Sequence, residues 1–179
     1  KVLGIFVGAP ENLRCREWFE AIGPVSYRSI QSGNAEIQRW AAFLELSNQS
    51  EAWLIGSRNR TEEYTGLYSL ASRVATFLPL AKVWKSQVMT LCNLIGVPDA
   101  ITASSRHADP DCGRPQEMAE IPLEKFDAYL QRHNGECTES VLAAYKTLSE
   151  GPITYLERVV AQNRFKQLLP NKGPAIFPA

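Results

Sequence analysis

Apolar and polar positions follow two different periods along the chain, and the change of period marks out its elements. Val2–Val7 is an almost unbroken apolar run closed by Gly8-Ala9-Pro10, and Val25–Ile30 and Trp53–Ile55 are shorter runs of the same kind. Runs rich in branched and aromatic residues, bounded by Gly, Pro or polar clusters, predict buried strands of a parallel sheet. Between and after them the period lengthens. Glu11–Ile22 predicts a helix with Leu13, Trp18, Phe19 and Ile22 inward, stopped by Gly23-Pro24, and Gln31-Ser32-Gly33-Asn34 predicts a turn. From Ala35 to about Leu46 the residues Ile37, Trp40, Ala41 and Leu44 fall at i, i+3, i+4 and i+7, one face of a helix. Arg39 lies off that stripe.

The later helices follow the same logic. Ser86–Ile95 turns Val88, Leu91, Cys92 and Ile95 inward, Leu123–Leu130 packs by Phe126, Tyr129 and Leu130, and Ser140–Ser149 presents Val141, Ala144, Tyr145 and Leu148. Gly151-Pro152 separates this last helix from Ile153–Leu169, and Ala100–Met118, with Pro110, Gly113 and Pro115, reads as a long loop. Apolar strands joined by helices predict a three-layer α/β fold, a parallel sheet flanked by helices.

The junction at Gly56 carries the most chemistry. There the apolar run stops, and Ser57-Arg58-Asn59-Arg60-Thr61-Glu62 crowds hydroxyl, amide, guanidinium and carboxylate groups together. In open parallel sheets ligands sit beyond the carboxyl ends of the strands, so this loop reads as a nucleotide-handling edge or as a solvated turn leading to a helix cap. Thr61-Glu62-Glu63 opens a turn or helix, and a carboxylate held just after a strand end suits Mg²⁺, which takes one or two carboxylates with waters and phosphate oxygens. Lys85 reads as a surface charge or, because a cation is disfavoured at the start of a helix, as a ligand contact.

Composition narrows the classes of function. The 179 residues, 45% of them hydrophobic, are enough for one substantial core, so residues 1–179 are expected to form a single domain. Lys+Arg and Asp+Glu are both 19, leaving no net charge to drive nonspecific association with nucleic acid or a membrane surface. Cys15, Cys92, Cys112 and Cys137 are widely spaced, with no CxxC pair and only His107 and His133 to join them. This disfavours a metal cluster or disulfide framework and makes a reducing cytoplasm the default, with Cys92 read as a core residue. No apolar run approaches the roughly 20 residues that span a bilayer. The chain opens on Lys1 and directly on a strand, which reads as a chain entered in the middle.

The order of short motifs is more specific than any one of them. Leu54-Ile55-Gly56-Ser57-x-Asn59-x-x-Glu62 is followed by Thr65-Gly66-Leu67-Tyr68, Leu78-Pro79-Leu80, Lys85-Ser86-Gln87-Val88 and Gly96-Val97-Pro98. Then come His107-Ala108-Asp109, Arg114-Pro115 and Phe126-Asp127-Ala128-Tyr129-Leu130. This collinear series resembles the ammonia-dependent NAD synthetases of the N-type ATP pyrophosphatase superfamily. The resemblance implies a Rossmann-like, adenine nucleotide alpha-hydrolase-like fold and a homodimer, with the Ile37/Trp40/Leu44 helix a candidate for part of the interface or for core packing. It also implies adenylation of deamido-NAD by ATP with Mg²⁺, followed by attack of ammonia on the acyl-adenylate. By the same resemblance Glu62 holds Mg²⁺, Ser57, Lys85 and His107 lie at ATP, and Arg39 and Lys166 at the dinucleotide. Residue type alone also allows Arg39 as a surface arginine and Lys166 as part of a basic last turn. No general base is evident.

Several positions depart from the family pattern. Its Ser-Gly-Gly-x-Asp-Ser phosphate loop, expected upstream of Val2, is not in this sequence, and with it go a pyrophosphate cradle and one Mg²⁺ carboxylate. Leu70 and Arg73 stand where the family has a lysine and a carboxylate, His107 replaces a threonine, and Phe165 replaces a histidine. Three readings follow: an NAD synthetase or close relative, a divergent superfamily member acting on another substrate, or a non-catalytic paralogue serving as a binding module.

Overall fold

The computed structural model describes residues 2–8, 10–29, 35–106 and 120–167. Strands β1 (Gly4–Val7) and β2 (Val25–Arg28) run parallel, with Gly4 opposite Val25 and Val7 opposite Arg28. Parallel neighbours need a crossover, here a 3₁₀ turn at Pro10–Asn12 and helix α1 (Arg16–Ile22). The helix expected from Glu11 starts later because Cys15, at its N-cap, takes the left-handed backbone conformation (φ 54°) and interrupts the helical path. Ile22, expected inward, stays exposed at the end of this short helix, while Trp18 and Phe19 pack edge to face.

Helix α2 (Ala35–Gln49) is longer than the pattern predicts and presents a different side. Ile37, Ala41 and Leu44 are exposed, whereas Trp40 and Phe43 are half-buried in an edge-to-face pair with centroids 5.3 Å apart. The Trp53–Ile55 run is extended, and its bridge, Ile55 to Phe77, is parallel. Leu54 O accepts from Thr76 N (2.8 Å) and Gly56 N donates to Phe77 O (2.9 Å). This run therefore pairs with the Phe77 segment, and side chains alternate across it: Leu54 and Gly56 are buried, Trp53 and Ile55 exposed. Uniform burial, expected from its apolar run, is not found.

The remaining elements are helical: α3 (Arg60–Thr65), a 3₁₀ turn Leu70–Val74, α4 (Lys85–Leu94), α5 (Asp99–Thr102) continuing as a 3₁₀ turn to Arg106, α6 (Leu123–His133), α7 (Glu139–Tyr145) and α8 (Glu150–Gln167). The start of the expected long loop at Ala100 is thus helical through Arg106, and residues 107–119, with His107, lie outside the described residues. On α4, Met89 is buried while Leu91 and Ile95, expected inward, are exposed and Cys92 is half-buried. Gly151-Pro152, expected to separate helices, lies in the first turn of α8, where a missing N–H costs nothing because the first turn has no intrahelical acceptor for it.

The core sits among these helices. Trp84, Ile121, Phe126, Tyr129, Leu130 and Leu156 form one buried cluster, with Tyr64, Tyr145 and Ile153 packed around it. Tyr64 and Trp84 stack at 5.5 Å, and the Arg60 guanidinium lies 4.4 Å above the Trp84 ring while pairing with Glu136. These contacts tie α3 and the start of α4 to α6 and the turn after it, and so fix the loop at Gly56. The architecture is the parallel sheet flanked by helices that the sequence predicts.

Candidate functional site

The site starts where the Trp53–Ile55 run turns. A Cβ at Gly56 would lie 2.7 Å from Leu78 Cδ2 and 2.8 Å from Ala75 Cβ, so only glycine lets the chain pass this close to the 75–78 segment. Asn59 then takes an extended conformation and caps α3. Its Oδ1 accepts from Glu62 N (3.1 Å), and Glu62 Oε2 accepts from Asn59 N (3.1 Å), a reciprocal capping box. The helix cap, one of the two readings that the sequence leaves open for this loop, is what the structure shows.

Burial raises the Glu62 carboxyl above its usual range, opposed by the Asn59 hydrogen bonds and by the positive charge of Lys85. Lys85 opens the neighbouring helix, and its backbone N–H donates (2.8 Å) to Oγ1 of Thr61, the residue before Glu62. A carboxylate has about four acceptor sites, and the cap engages one, so Glu62 fits a hard cation that completes its shell with phosphate oxygens and water. No group of three or more His, Cys, Asp or Glu converges on a metal position among the described residues. Ser57 is exposed at the mouth of the same loop.

The pH consequence has a definite sign. A carboxyl whose folded pKa is raised contributes stability that is full below its unfolded pKa, about 4.3 for Glu, and that is lost as pH rises through the folded pKa. The unfolding midpoint of the wild type relative to Glu62→Gln is therefore expected to fall as pH rises through the range above about 4. A constant difference across that range in thermal melts contradicts the burial of this carboxyl.

The two residues assigned to the dinucleotide by resemblance both have partners within the chain. Arg39 Nη1 donates to Glu36 Oε2 (3.0 Å) on its own helix, a half-buried i,i+3 pair. Lys166, in the last turn of α8, donates from Nζ to Gly66 O (3.0 Å) and Tyr68 O (3.2 Å), and burial pushes its ammonium pKa down. Its own carbonyl accepts from the Tyr68 hydroxyl and the Arg73 guanidinium, and Gln167 Nε2 donates to Tyr64 O. Gly66, in the left-handed conformation (φ 67°), lies so close to Asn163 that a side chain there would collide. The end of α8 is thus clasped onto the turn after α3, about 6 Å along the helix axis from Glu62. Arg73, which departs from the family pattern, finds its use in this clasp.

Three residues with no role assigned from the sequence belong to the framework around Glu62. Arg58 stacks 4.3 Å above the Tyr68 ring, its Nε 2.6 Å from Glu63 Oε2, an ion pair by distance whose angles make no hydrogen bond. Thr61 and Asp127 are buried and joined, Thr61 Oγ1 donating to Asp127 Oδ1 at 2.6 Å. A signal for Asp127 is present in the sequence: Leu123, Phe126, Asp127 and Leu130 follow the i, i+3, i+4, i+7 spacing, so a carboxylate occupies a core-facing position.

Comparison with known proteins places this geometry. Over almost its whole length the fold is similar to the NH3-dependent NAD synthetase of Campylobacter jejuni, with a TM-score of 0.68 and 14% identity over 96% of this chain and 77% of that one. It is also similar to an NMN synthetase of Francisella tularensis, with a TM-score of 0.63 and 16% identity over 96% and 78% of the two chains. No curated protein matches the sequence. No helix among the described residues is long and apolar enough to cross a membrane. The NAD synthase family model matches residues 17–170, most of the chain and all of the site just described, and the chain therefore belongs to the NAD synthase family.

Proposed function

We propose that this chain carries the ATP- and Mg²⁺-handling part of an ammonia-dependent NAD synthetase. The reaction is amidation of deamido-NAD: ATP adenylates the nicotinate carboxylate with release of pyrophosphate, and ammonia displaces AMP from the acyl-adenylate. The observation that carries the reading is the capping box that fixes Glu62 at the polar end of a parallel-bridged run, next to Thr61, which accepts from the backbone N–H of Lys85 at the start of α4. Glu62 would hold the Mg²⁺, which supplies neutralisation of phosphate charge. Lys85 and Ser57 bind and orient the phosphates of ATP, and fixing charged groups before the reaction is the main means by which such sites lower a phosphate-transfer barrier. His107 belongs to the same proposal as an ATP contact. The proposed setting is cytoplasmic, in keeping with the free thiols of Cys15, Cys92 and Cys137.

A second reading keeps the chemistry and changes the substrate. Arg39 is paired with Glu36, and Lys166 with the Gly66 and Tyr68 carbonyls, so both cations assigned to the dinucleotide already have partners in the chain. This favours a smaller nucleotide carboxylate, as the name of the Francisella neighbour suggests. Initial rates of amide formation with ATP, Mg²⁺ and ammonium separate the two. A higher kcat/KM for deamido-NAD supports the dinucleotide reading, and a higher value for the corresponding mononucleotide supports the second. Amide formation from neither contradicts both.

The same proposal includes a homodimer. Ile37 and Leu44 on α2 are 60% and 39% exposed and share one face of the helix, apolar surface that a second copy would cover. Sedimentation at micromolar concentration is expected to show a dimer that Ile37→Glu dissociates. A wild-type monomer contradicts the assignment.

A further inference from the structure

Helix α4 begins at Lys85, and its first N–H groups find partners outside the helix. Lys85 N donates to Thr61 Oγ1 (2.8 Å), and Ser86 N donates to Asp127 Oδ2 (2.7 Å). Gln87 Oε1 reaches back to accept from Trp84 N (3.0 Å), so the turn before the helix is closed as well. Thr61 Oγ1 in turn donates to Asp127 Oδ1 (2.6 Å), completing a buried chain of three hydrogen bonds. Thr61 directly precedes Glu62 on α3, while Asp127 is 1% exposed on α6 between Phe126 and Ala128, both in the core. One carboxylate of the core therefore grips the first turn of α3 and the first turn of α4 together. A negative charge at the start of α4 also offsets the unfavourable placement of a lysine at the positive end of the helix dipole.

We infer that Asp127 is a positioning residue of the nucleotide site, holding the backbone of Lys85 and Ser86 at the start of α4 against the first turn of α3, next to Glu62, through Thr61. The inference rests on the proposal that Glu62 and Lys85 bind ATP with Mg²⁺. Asp127 touches no substrate. Hydrogen bonds to charged groups are worth enough that losing one member of this chain weakens a site that depends on its geometry by about tenfold.

The test is the affinity of the complete protein for ATP, with and without Mg²⁺, in a double-mutant cycle. Asp127→Asn is expected to weaken Mg²⁺-dependent ATP binding about tenfold in the wild type, and less than about twofold when Lys85 is already Met. Equal losses in the two backgrounds overturn the inference, because a merely structural defect acts whether or not Lys85 is present. Should Asp127→Asn fail to fold, Thr61 carries the same test: Thr61→Val removes the bridging hydroxyl and is expected to weaken binding, while Thr61→Ser restores it. Thr61→Val that binds like the wild type overturns the inference. If Lys85→Met weakens binding and neither Asp127→Asn nor Thr61→Val does, this inference falls alone. If the unsubstituted protein shows no Mg²⁺-dependent ATP binding, the nucleotide-site reading falls and takes the inference with it.

Discussion

Replacing Glu62 by Gln is expected to lower Mg²⁺-dependent pyrophosphate release by the complete protein at least tenfold, about 1.4 kcal/mol in the barrier. Glutamine at this position keeps the capping box with Asn59, since either Glu or Gln at the third helical residue can accept from the N-cap N–H. Fold and cap thus survive while the charge that a hard cation requires is removed. Lys85→Met is expected to act in the same direction by removing a phosphate contact, while its backbone N–H continues to donate to Thr61. The rate of pyrophosphate release at saturating ATP, with folding checked by circular dichroism, decides the matter. Retention of the wild-type rate in either variant contradicts the assigned role of that residue.

The largest effect on stability is expected at Phe126. Its side chain is 0% exposed at the centre of the cluster with Trp84, Ile121 and Leu156. Truncation to alanine removes the transfer free energy of the ring and leaves a cavity, together about 3–5 kcal/mol. Against a total of about 5–15 kcal/mol for a typical domain, this brings the fold close to its threshold. Urea unfolding is expected to show a lower midpoint with an unchanged slope. A loss below about 1 kcal/mol would contradict the placement of Phe126 at the core centre. Because Asp127 follows directly on the same helix, Phe126→Ala is also expected to weaken ATP binding at concentrations of urea that leave the wild type intact.

Residues whose environment is local were legible in the sequence. Phe126, Tyr129 and Leu130 are buried as their spacing predicts, because α6 lies between α4 and α7 and its apolar stripe has one place to go. The stop at Gly56, the polar loop after it and the start of α4 near Lys85 are also where the pattern puts them. Features set by long-range contacts were not. Burial on α2 and α4 depends on which neighbours cover them, so Ile37, Leu91 and Ile95 look inward by period and face outward in the fold. The break at Cys15 is a single left-handed residue of a type with no special preference for that conformation. Pro152 was read as a helix breaker, although a proline in a first turn breaks nothing.

The site shows the same division. Glu62 and Lys85 follow from motif order by resemblance, whereas the framework around them is made by residues distant in sequence. Thr61 and Asp127 are 66 positions apart, and Lys166 meets Gly66 across 100. Motif order places Lys166 at the dinucleotide by resemblance, and in the structure its ammonium donates to two backbone carbonyls. No pattern in the sequence announces an acceptor pair of that kind.

Two adjacent carboxylates offer the most direct test of the nucleotide site. Glu62 closes the cap and lies in the field of Lys85, while Glu63 points to Arg58, one residue along the same short helix. Calorimetric titration of ATP with and without Mg²⁺ into the complete protein is the measurement. Glu62→Gln is expected to abolish most of the Mg²⁺-dependent gain in affinity, and Glu63→Gln to leave it nearly intact. Equal behaviour of the two variants would contradict a Mg²⁺-ATP site at Glu62 and favour a non-catalytic role for this chain.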